Sequence, residues 1–316
     1  MNSAKSRCSP GGAVLLISLL AISPHARCQT VPNIASVTNG ASYSTRTSSI
    51  RLGSDPQIGI APGEVISILG TGLGPTVPMG PQLDSTGKVA TQLAGVQVLF
   101  NVSPCGPGIS GCPATTYQAP LTYVSQNQIN CVVPYELNGS YPATYTLTVQ
   151  VSSGGQLSAP FAFGGVYRYA PGIFTATGAG TGQAAALNQD GTPNGPQNPA
   201  LPGSIVAIYM TGEGPPYPAG VDGAVTCSSG CASTRQIPKP NEPPIALVGE
   251  LTMEGWPANQ AQVTFYGEAP ELVSGVLQVN IQIPTSLTWG TLTNPLPLMI
   301  EFLSEYSQLV TVAVKL

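Results

Sequence analysis

The chain contains an internal repeat, and this repeat limits its possible folds more than any other sequence feature. A shift of 140 residues places residues 61–78, APGEVISILGTGLGPTVP, on residues 201–218, LPGSIVAIYMTGEGPPYP, with eight of eighteen positions identical. Further matches follow in the same order: Gln97–Phe100 with Gln262–Phe265, Ala119-Pro120 with Ala269-Pro270, Gln128–Pro134 with Gln278–Pro284, and Gln156-Leu157 with Gln308-Leu309. We therefore expect two copies of one structural unit.

The repeated segments alternate apolar and polar residues, which is typical of half-buried strands. Residues 144–151 (TYTLTVQV), 278–283 (QVNIQI) and 309–316 (LVTVAVKL) follow this pattern, and no amphipathic helix is evident after residue 28. Charged residues make up only 8 % of the chain, while 37 glycines and 32 prolines favour many tight turns. The sequence predicts an all-β fold of two tandem immunoglobulin-like β-sandwiches joined by a β-rich connector.

The N-terminus has the pattern of an export signal. Lys5 and Arg7 precede the apolar run Ala13–Ile22, whose ten residues are fewer than the about 20 needed to span a bilayer. We expect cleavage near Cys28 and a location that is secreted, periplasmic or at the cell surface. No later segment is apolar enough to be a transmembrane helix.

The predicted organisation has five parts. They are a signal peptide (1–28), an N-terminal segment that can add a strand (29–60), a first immunoglobulin-like repeat (61–166), a connector with a β-hairpin (167–200) and a second repeat (201–316). The hairpin is placed at Asp190-Gly191, a dipeptide that favours tight turns.

The glycines in the sequence GTGLGP, residues 70–75, first raise the possibility of a phosphate-binding loop. Prolines at 75, 78 and 81 exclude the helix that a dinucleotide-binding motif requires. The second copy carries Met210 and Glu213 at the matching positions, and an acid there would repel phosphate. We interpret the glycines as a strand-ending turn that needs positive φ.

Loss of the signal peptide limits the available chemistry. His25, the only histidine, leaves with it, and 7 basic and 14 acidic residues remain. This excludes histidine-dependent catalysis and argues against nucleic acid as a partner. We predict no cofactor. Carboxylate pairs for glycoside hydrolysis, with Trp256 stacked on a sugar, remain a weaker alternative; Glu250/Glu254 and Glu268/Glu271 are better interpreted as solvated loop carboxylates.

Two further sets of residues are candidate metal or disulfide sites. Asn188, Asp190 and Asn194 partly resemble a calcium loop but lack the bidentate glutamate, so calcium is the weaker interpretation. Two cysteine pairs lie in Gly/Ser-rich loops and favour short disulfides over a zinc site. Cys131 aligns with Ile281, which predicts a buried thiol that packs as a small apolar side chain. The predicted disulfide cysteines are Cys105, Cys112, Cys227 and Cys231.

The motifs also resemble known families. PG-x-x-V/I-x-I running into a Gly-x-Gly turn, followed by a QIN…VP strand, resembles the IPT/TIG branch of immunoglobulin-like domains. The segments IASVTNGASY, APGEVISILGTGLG, APLTYVSQNQINCVVPYEL, APGIF, AAALNQDGTPN, PGSIVAIYMTGEGP and GVLQVNIQIP resemble an exported bacterial family, frequent in acidobacteria, with a C-terminal module of unassigned activity. The resemblance implies a β-sandwich fold and export, and transfers no catalytic residue.

These observations predict a non-enzymatic secreted or cell-surface binding or structural protein built from immunoglobulin-like domains. It would act in adhesion or extracellular recognition, with an extracellular protein or a glycan as partner. The alternatives are a carbohydrate-binding module or glycan-active enzyme, and a passive spacer in an envelope assembly. Loops at the sandwich ends are the expected docking sites.

The disulfide assignment can be tested directly. Peptide mapping of the unreduced exported protein should find Cys105 linked to Cys112 and Cys227 linked to Cys231, with Cys131 unmodified, because each predicted pair lies within one loop. A bond between the two copies would contradict the assignment.

Overall fold

A computed structural model describes residues 30–45, 59–104, 114–138, 145–227, 237–252, 255, 257–285 and 295–315. Within these ranges, the regular structure consists of strands and one short 3-10 helix, Tyr135–Asn138. The prediction of an all-β, sandwich-like fold is therefore confirmed. The predicted signal peptide lies outside the described residues and stays a prediction.

The N-terminal half of the chain contributes strands β1 to β11. They are β1 (Asn33–Asn39), β2 (Gly59–Ile60), β3 (Val65–Thr71), β4 (Val96–Ser103), β5 (Thr115–Gln118), β6 (Leu121–Val124), β7 (Gln128–Val132), β8 (Thr146–Ser153), β9 (Gln156–Leu157), β10 (Phe161–Phe163) and β11 (Gly165–Val166). One antiparallel sheet has the order β1-β3-β7-β6, and a second has the order β10-β8-β4-β5. Buried apolar side chains from both sheets form one core.

The C-terminal half contributes strands β12 to β22. They are β12 (Gly172–Ile173), β13 (Ala186–Asn188), β14 (Ile205–Thr211), β15 (Pro216–Tyr217), β16 (Lys239–Pro240), β17 (Ile245–Leu251), β18 (Pro257–Glu268), β19 (Leu277–Gln282), β20 (Leu296–Phe302), β21 (Glu305–Tyr306) and β22 (Val310–Val312). The main sheet has the order β12-β14-β19-β18-β17-β20-β21 and encloses a second core.

The strand pairing confirms the central part of the repeat. In β3, Ser67 lies opposite Asn130 of β7, and in β14, Ala207 lies opposite Asn280 of β19. The turns that follow also agree with the sequence interpretation, because Gly72 and Gly212 have φ values of 67° and 83°. The backbone conformation accounts for glycine at both positions.

Three of the shorter matches are wrong. Gln97–Phe100 lies in β4, which pairs with β8, whereas Gln262–Phe265 lies in β18, which pairs with β19. The strand β4 pairs with the β8-β9 hairpin as β17 pairs with the β20-β21 hairpin. By this pairing, β4 corresponds to β17, and β8-β9 corresponds to β20-β21. Gln156-Leu157 therefore matches Glu305-Tyr306 rather than Gln308-Leu309. Matches of two to four common residues were too short to fix the register.

The third wrong match, Ala119-Pro120 with Ala269-Pro270, is explained by Pro120. Strands β5 and β6 are separated at Ala119-Pro120, because proline has no N–H to donate to a ladder. Leu121 and Val263 hold the same place, opposite Cys131 and its counterpart on β19. The residue before Val263 is glutamine, so β18 runs unbroken through twelve residues and joins both faces of the C-terminal sandwich. Ala119-Pro120 thus corresponds to residues 261–262, not 269–270.

The segments outside the two predicted repeats also belong to the sheets. Within residues 29–60, β1 pairs along β3, which gives the extra strand expected there. Within residues 167–200, β12 and β13 both pair with β14, so the predicted connector supplies edge strands to the C-terminal sheet. Asp190-Gly191 forms the expected tight turn, closed by a hydrogen bond from the Gly191 amide to the Asn188 carbonyl.

Substitution of Gly212 by alanine tests the turn. A Cβ at this position would lie 1.7 Å from the Ala170 carbonyl oxygen, in addition to the cost of φ 83°. We expect Gly212→Ala to lower the free energy of unfolding by about 3 kcal/mol or more in a urea titration. The control Gly191→Ala has a similar φ, 81°, but open space, and should cost only about 1–2 kcal/mol. Equal losses would contradict the close approach at Ala170.

Candidate functional site

The outer face of β14 forms the floor of a groove. Along β14 every second side chain enters the core, and Ile205, Ala207 and Tyr209 point to the other side, where they are partly exposed. Ala207 has Leu187 of β13 on one flank and Asn280 of β19 on the other. Because alanine is much smaller than these neighbours, the sheet surface is hollow at this point.

We call this depression the β14 groove. It has a volume of about 380 Å³ and is open to solvent. Its lining residues are Leu187, Asn188, Gln189, Gly191, Ile205, Ala207, Tyr209, Gln278 and Asn280. None of these side chains carries a charge, so the groove offers amides, one phenol and apolar walls.

The amide side chains of the β14 groove are held in place by hydrogen bonds. Gln278 donates from Nε2 to Oδ1 of Asn280 at 2.8 Å, and Oε1 of Gln189 accepts from the Ile205 amide at 3.1 Å. Asn280, whose Oδ1 accepts the bond from Gln278, also lines the groove, and its side-chain nitrogen is a hydrogen-bond donor. Burial raises the pKa of Tyr209, so its hydroxyl stays protonated at neutral pH.

The matching face of the N-terminal half carries different side chains. Leu69 stands where β14 has Tyr209, and the fully buried Ser67 stands where it has Ala207. Oδ1 of Asn130 accepts from both Ser67 and Gln128. The Gln-x-Asn pair is thus shared by both copies, whereas Ala207 and Tyr209 of the C-terminal copy correspond to Ser67 and Leu69 in the N-terminal copy.

The three residues considered for calcium lie beside this groove and have structural hydrogen bonds. Asn194 is buried and donates from Nδ2 to Oδ1 of Asn188 at 2.9 Å and to the Ala313 carbonyl at 2.8 Å. Its Oδ1 accepts from Gln183 and from the Ala313 amide. Oδ1 of Asp190 accepts from the backbone and hydroxyl of Thr192. These bonds explain the spacing of the polar residues as a network that ties the hairpin to the C-terminal strand.

A second polar cluster lies between the two halves. Tyr135, in the 3-10 helix after β7, places its Oη 2.6 Å from Oε1 of Glu213 and 3.3 Å from Oε1 of Glu268. Thr226 and Ser274 donate to Oε2 of Glu268 at 2.8 and 3.0 Å. We call these five residues the carboxyl cluster. Glu213 and Glu268 are 0 % and 1 % exposed, so two carboxyl groups share a site without solvent.

Other polar contacts join the same surfaces. The hydroxyl of Thr211 accepts from the Val65 amide and donates to the Gly275 carbonyl, both at 2.7 Å. Asn39 donates from one amide group to Oε1 of Glu64 and to the Ala170 carbonyl. Every one of these groups is buried, and each finds its partner across or beside the contact between the halves.

Burial shifts the pKa values of the acids near this contact. Desolvation raises the pKa of Glu64 to about 8, although the Ala61 amide and Asn39 both donate to its oxygens. Desolvation also raises the pKa of Asp222 to about 7, despite a hydrogen bond from the Tyr135 amide. Burial, and then the neighbouring Glu268, raise the pKa of Glu213 well above its usual value.

The sequence missed this cluster and misjudged one of its members. The sequence predicts a solvated loop carboxylate at Glu268, and this prediction is wrong: Glu268 is buried, because it ends β18 at the contact with the other half. Its partner Tyr135 is 133 residues away, so no local pattern reveals the contact. The one available signal was Glu213, an acid that replaces the buried Leu73 of the first copy.

Of the predictions for the cysteines and Trp256, one is confirmed and the others involve residues that the structure does not describe. Cys131 is a free, fully buried thiol in the first core, as predicted, and burial raises its pKa. Trp256 lies outside the described residues, as do Cys105, Cys112 and Cys231. The pairing predicted for these cysteines and Cys227 therefore stays a prediction.

Comparison with protein-family models, with curated proteins and with solved structures finds no match to this chain. Across the described ranges, no helix has the length and apolar character needed to cross a membrane. In the same ranges, no group of three or more His, Cys, Asp and Glu side chains is arranged to hold a metal ion.

The hydrogen-bonding role of Asn194 leads to a stability prediction. Asn194→Ala removes four hydrogen bonds and leaves the buried backbone of Ala313 without a side-chain partner, so we expect a loss of about 2–4 kcal/mol in urea unfolding. The control Asn198→Ala should cost about 1 kcal/mol or less, because Asn198 is exposed and water can replace its bonds. An increase in stability on addition of calcium, lost in Asn194→Ala, would instead support a metal site.

Proposed function

We propose that this protein is an exported, non-enzymatic binding protein and that the β14 groove binds a neutral glycan. The observation that carries the proposal is the composition of the groove, with side-chain amides, a tyrosine and apolar walls around a floor of Ala207. Its volume of about 380 Å³ is within the range of small-ligand sites.

The chemistry of the groove selects the ligand class. Sugars combine hydroxyl groups, which pair with amides, with C–H faces, which pack on aromatic rings. A charged ligand is disfavoured, because none of the lining residues supplies a counter-charge. A purely apolar ligand would cover the partly buried amides of Gln278 and Asn280 without offering them hydrogen bonds.

Binding without turnover is favoured by the same residues. No carboxyl group lines the groove, so the paired acids needed for glycoside hydrolysis are not supplied by its walls. The absence of histidine after residue 28 removes the commonest general base. An extracellular setting follows from the export signal in the sequence and stays part of the proposal.

Substitution in the groove tests the function. We expect a neutral oligosaccharide from a broad panel to bind the mature protein in calorimetric titration, and Tyr209→Ala or Gln278→Ala to weaken binding at least about tenfold, which corresponds to about 1.4 kcal/mol. In this proposal the ring and the amide each contact the sugar. Both side chains are partly exposed on the outer face of the sheet, so both variants should retain the native circular dichroism spectrum.

A matched control is available in the other copy. Gln128 occupies the place of Gln278 on the N-terminal sheet, so Gln128→Ala should leave binding unchanged. If no glycan binds, or if Tyr209→Ala binds as the wild type does, the groove proposal is wrong and the passive-spacer alternative gains support. Release of shorter sugars during incubation would contradict the non-enzymatic part.

A further inference from the structure

The contact between the two halves, which we call the junction, is built around the ring of Tyr135. A Cβ on Gly63 or on Gly220 would each lie 2.5 Å from this ring, so the tyrosine is enclosed by a glycine from either half. The Tyr135 amide donates to Asp222 at 2.9 Å, and the hydroxyl reaches Glu213 and Glu268. Tyr135 therefore crosses the junction and ends among carboxyl groups of the other half.

The number of hydroxyl hydrogens in the carboxyl cluster determines which groups can donate hydrogen bonds. Tyr135 has one hydroxyl hydrogen but lies within hydrogen-bond distance of two carboxyl groups. Both contacts are attractive if Glu213 is protonated and donates from Oε1 to Tyr135, while Tyr135 donates to Glu268. Glu268 then accepts from Tyr135, Thr226 and Ser274 and is the ionised partner.

The unpaired oxygen of Glu213 supports the same assignment. Oε2 of Glu213 is buried and has no hydrogen-bond partner among the described residues. An unpaired oxygen on a buried carboxylate is costly, whereas the carbonyl oxygen of a neutral carboxyl group tolerates it much better. The 2.6 Å contact between Oε1 of Glu213 and Oη of Tyr135 lies within the range of O–H···O hydrogen bonds, so either oxygen can be the donor.

The described charged groups on the elements around Glu213 have other partners or lie apart from it. Those on the elements packed against the cluster are Glu64, Lys88, Glu136, Arg168, Asp222, Lys239, Glu242 and Glu271. Arg168 pairs with Glu242 at 3.7 Å, and Lys239 lies over the ring of Tyr266 at 5.3 Å. In the described part of the chain no basic side chain forms an ion pair with Glu213, and a proton on Glu213 would remove its charge without one.

We propose that a proton on Glu213, shared through Tyr135 with Glu268, holds the junction closed, so that the two halves separate more easily as the medium becomes alkaline. Loss of this proton to solvent would leave two buried negative charges around one hydroxyl hydrogen. This inference is independent of the β14 groove, which contains none of these residues.

The direction of the pH effect follows from the protonation states. Burial and the charge of Glu268 raise the pKa of Glu213 above the value of 4.5 that glutamate has when unfolded. The native state therefore holds the proton more tightly than the unfolded state. The stabilisation is fully present below about pH 4.5 and is lost as the pH rises toward the native pKa of Glu213.

The test compares unfolding of the mature protein across pH. Between about pH 5 and pH 9 we expect the folding constant of the wild-type protein to fall steeply with rising pH. Glutamine is neutral at every pH, so the folding constant of Glu213→Gln should fall less, by a factor of up to about ten for each pH unit. Glu64 and Asp222 also contribute to the pH dependence of the wild-type folding constant. The variants Glu64→Gln and Asp222→Asn measure the contribution of each residue. The exposed Glu271→Gln is the matched control and should keep the wild-type slope.

A spectroscopic measurement keeps the proposal falsifiable if Glu213→Gln does not fold. The native wild-type protein at neutral pH should show the infrared carbonyl stretch of a protonated carboxyl group, and Glu213→Gln, if folded, should lose part of that band while Glu271→Gln retains it. Small-angle scattering should show the two halves moving apart at alkaline pH before either loses its strands. A wild-type spectrum without the band, or an unchanged pH slope in folded Glu213→Gln, would overturn the proposal.

Discussion

Tyr135 makes the contact on which the arrangement of the two halves depends. Its ring fills the space left by Gly63 and Gly220, and its hydroxyl is a hydrogen-bond partner of two buried carboxyl groups. A smaller side chain would leave a cavity, and an apolar one would leave Glu213 without its hydrogen bond. The junction therefore depends both on the packing of the Tyr135 ring and on the hydrogen bonds of its hydroxyl group.

The two copies keep one framework and use it differently. At the position after the strand-ending glycine, the first copy has Leu73, which packs in its own core, and the second has Glu213, which turns to the junction. On the outer face, Leu69 of the first copy is replaced by Tyr209. The conserved strand pairing lets single residues change role, because the backbone hydrogen bonds that hold each strand do not depend on these side chains.

Local patterns predicted the features that arise within one strand or turn. The alternation in residues 278–283 identified β19, and the glycine turn at Gly212 was confirmed by its positive φ. The register of the shorter matches failed, because pairs such as Ala-Pro recur by chance. Strand neighbours, not residue identity, showed that β5 and β6 correspond to the single strand β18.

The sequence by itself determined an all-β chain, the equivalence of β3 and β14, the buried thiol of Cys131 and the turn at Asp190-Gly191. Each follows from residues adjacent along the chain, whose spacing reports burial or φ directly. Only the tertiary structure decided that Glu268 is buried beside Tyr135 and that Ala207 lies at the bottom of a groove. These depend on residues far apart in sequence that meet only when the sheets pack, so no periodicity encodes them.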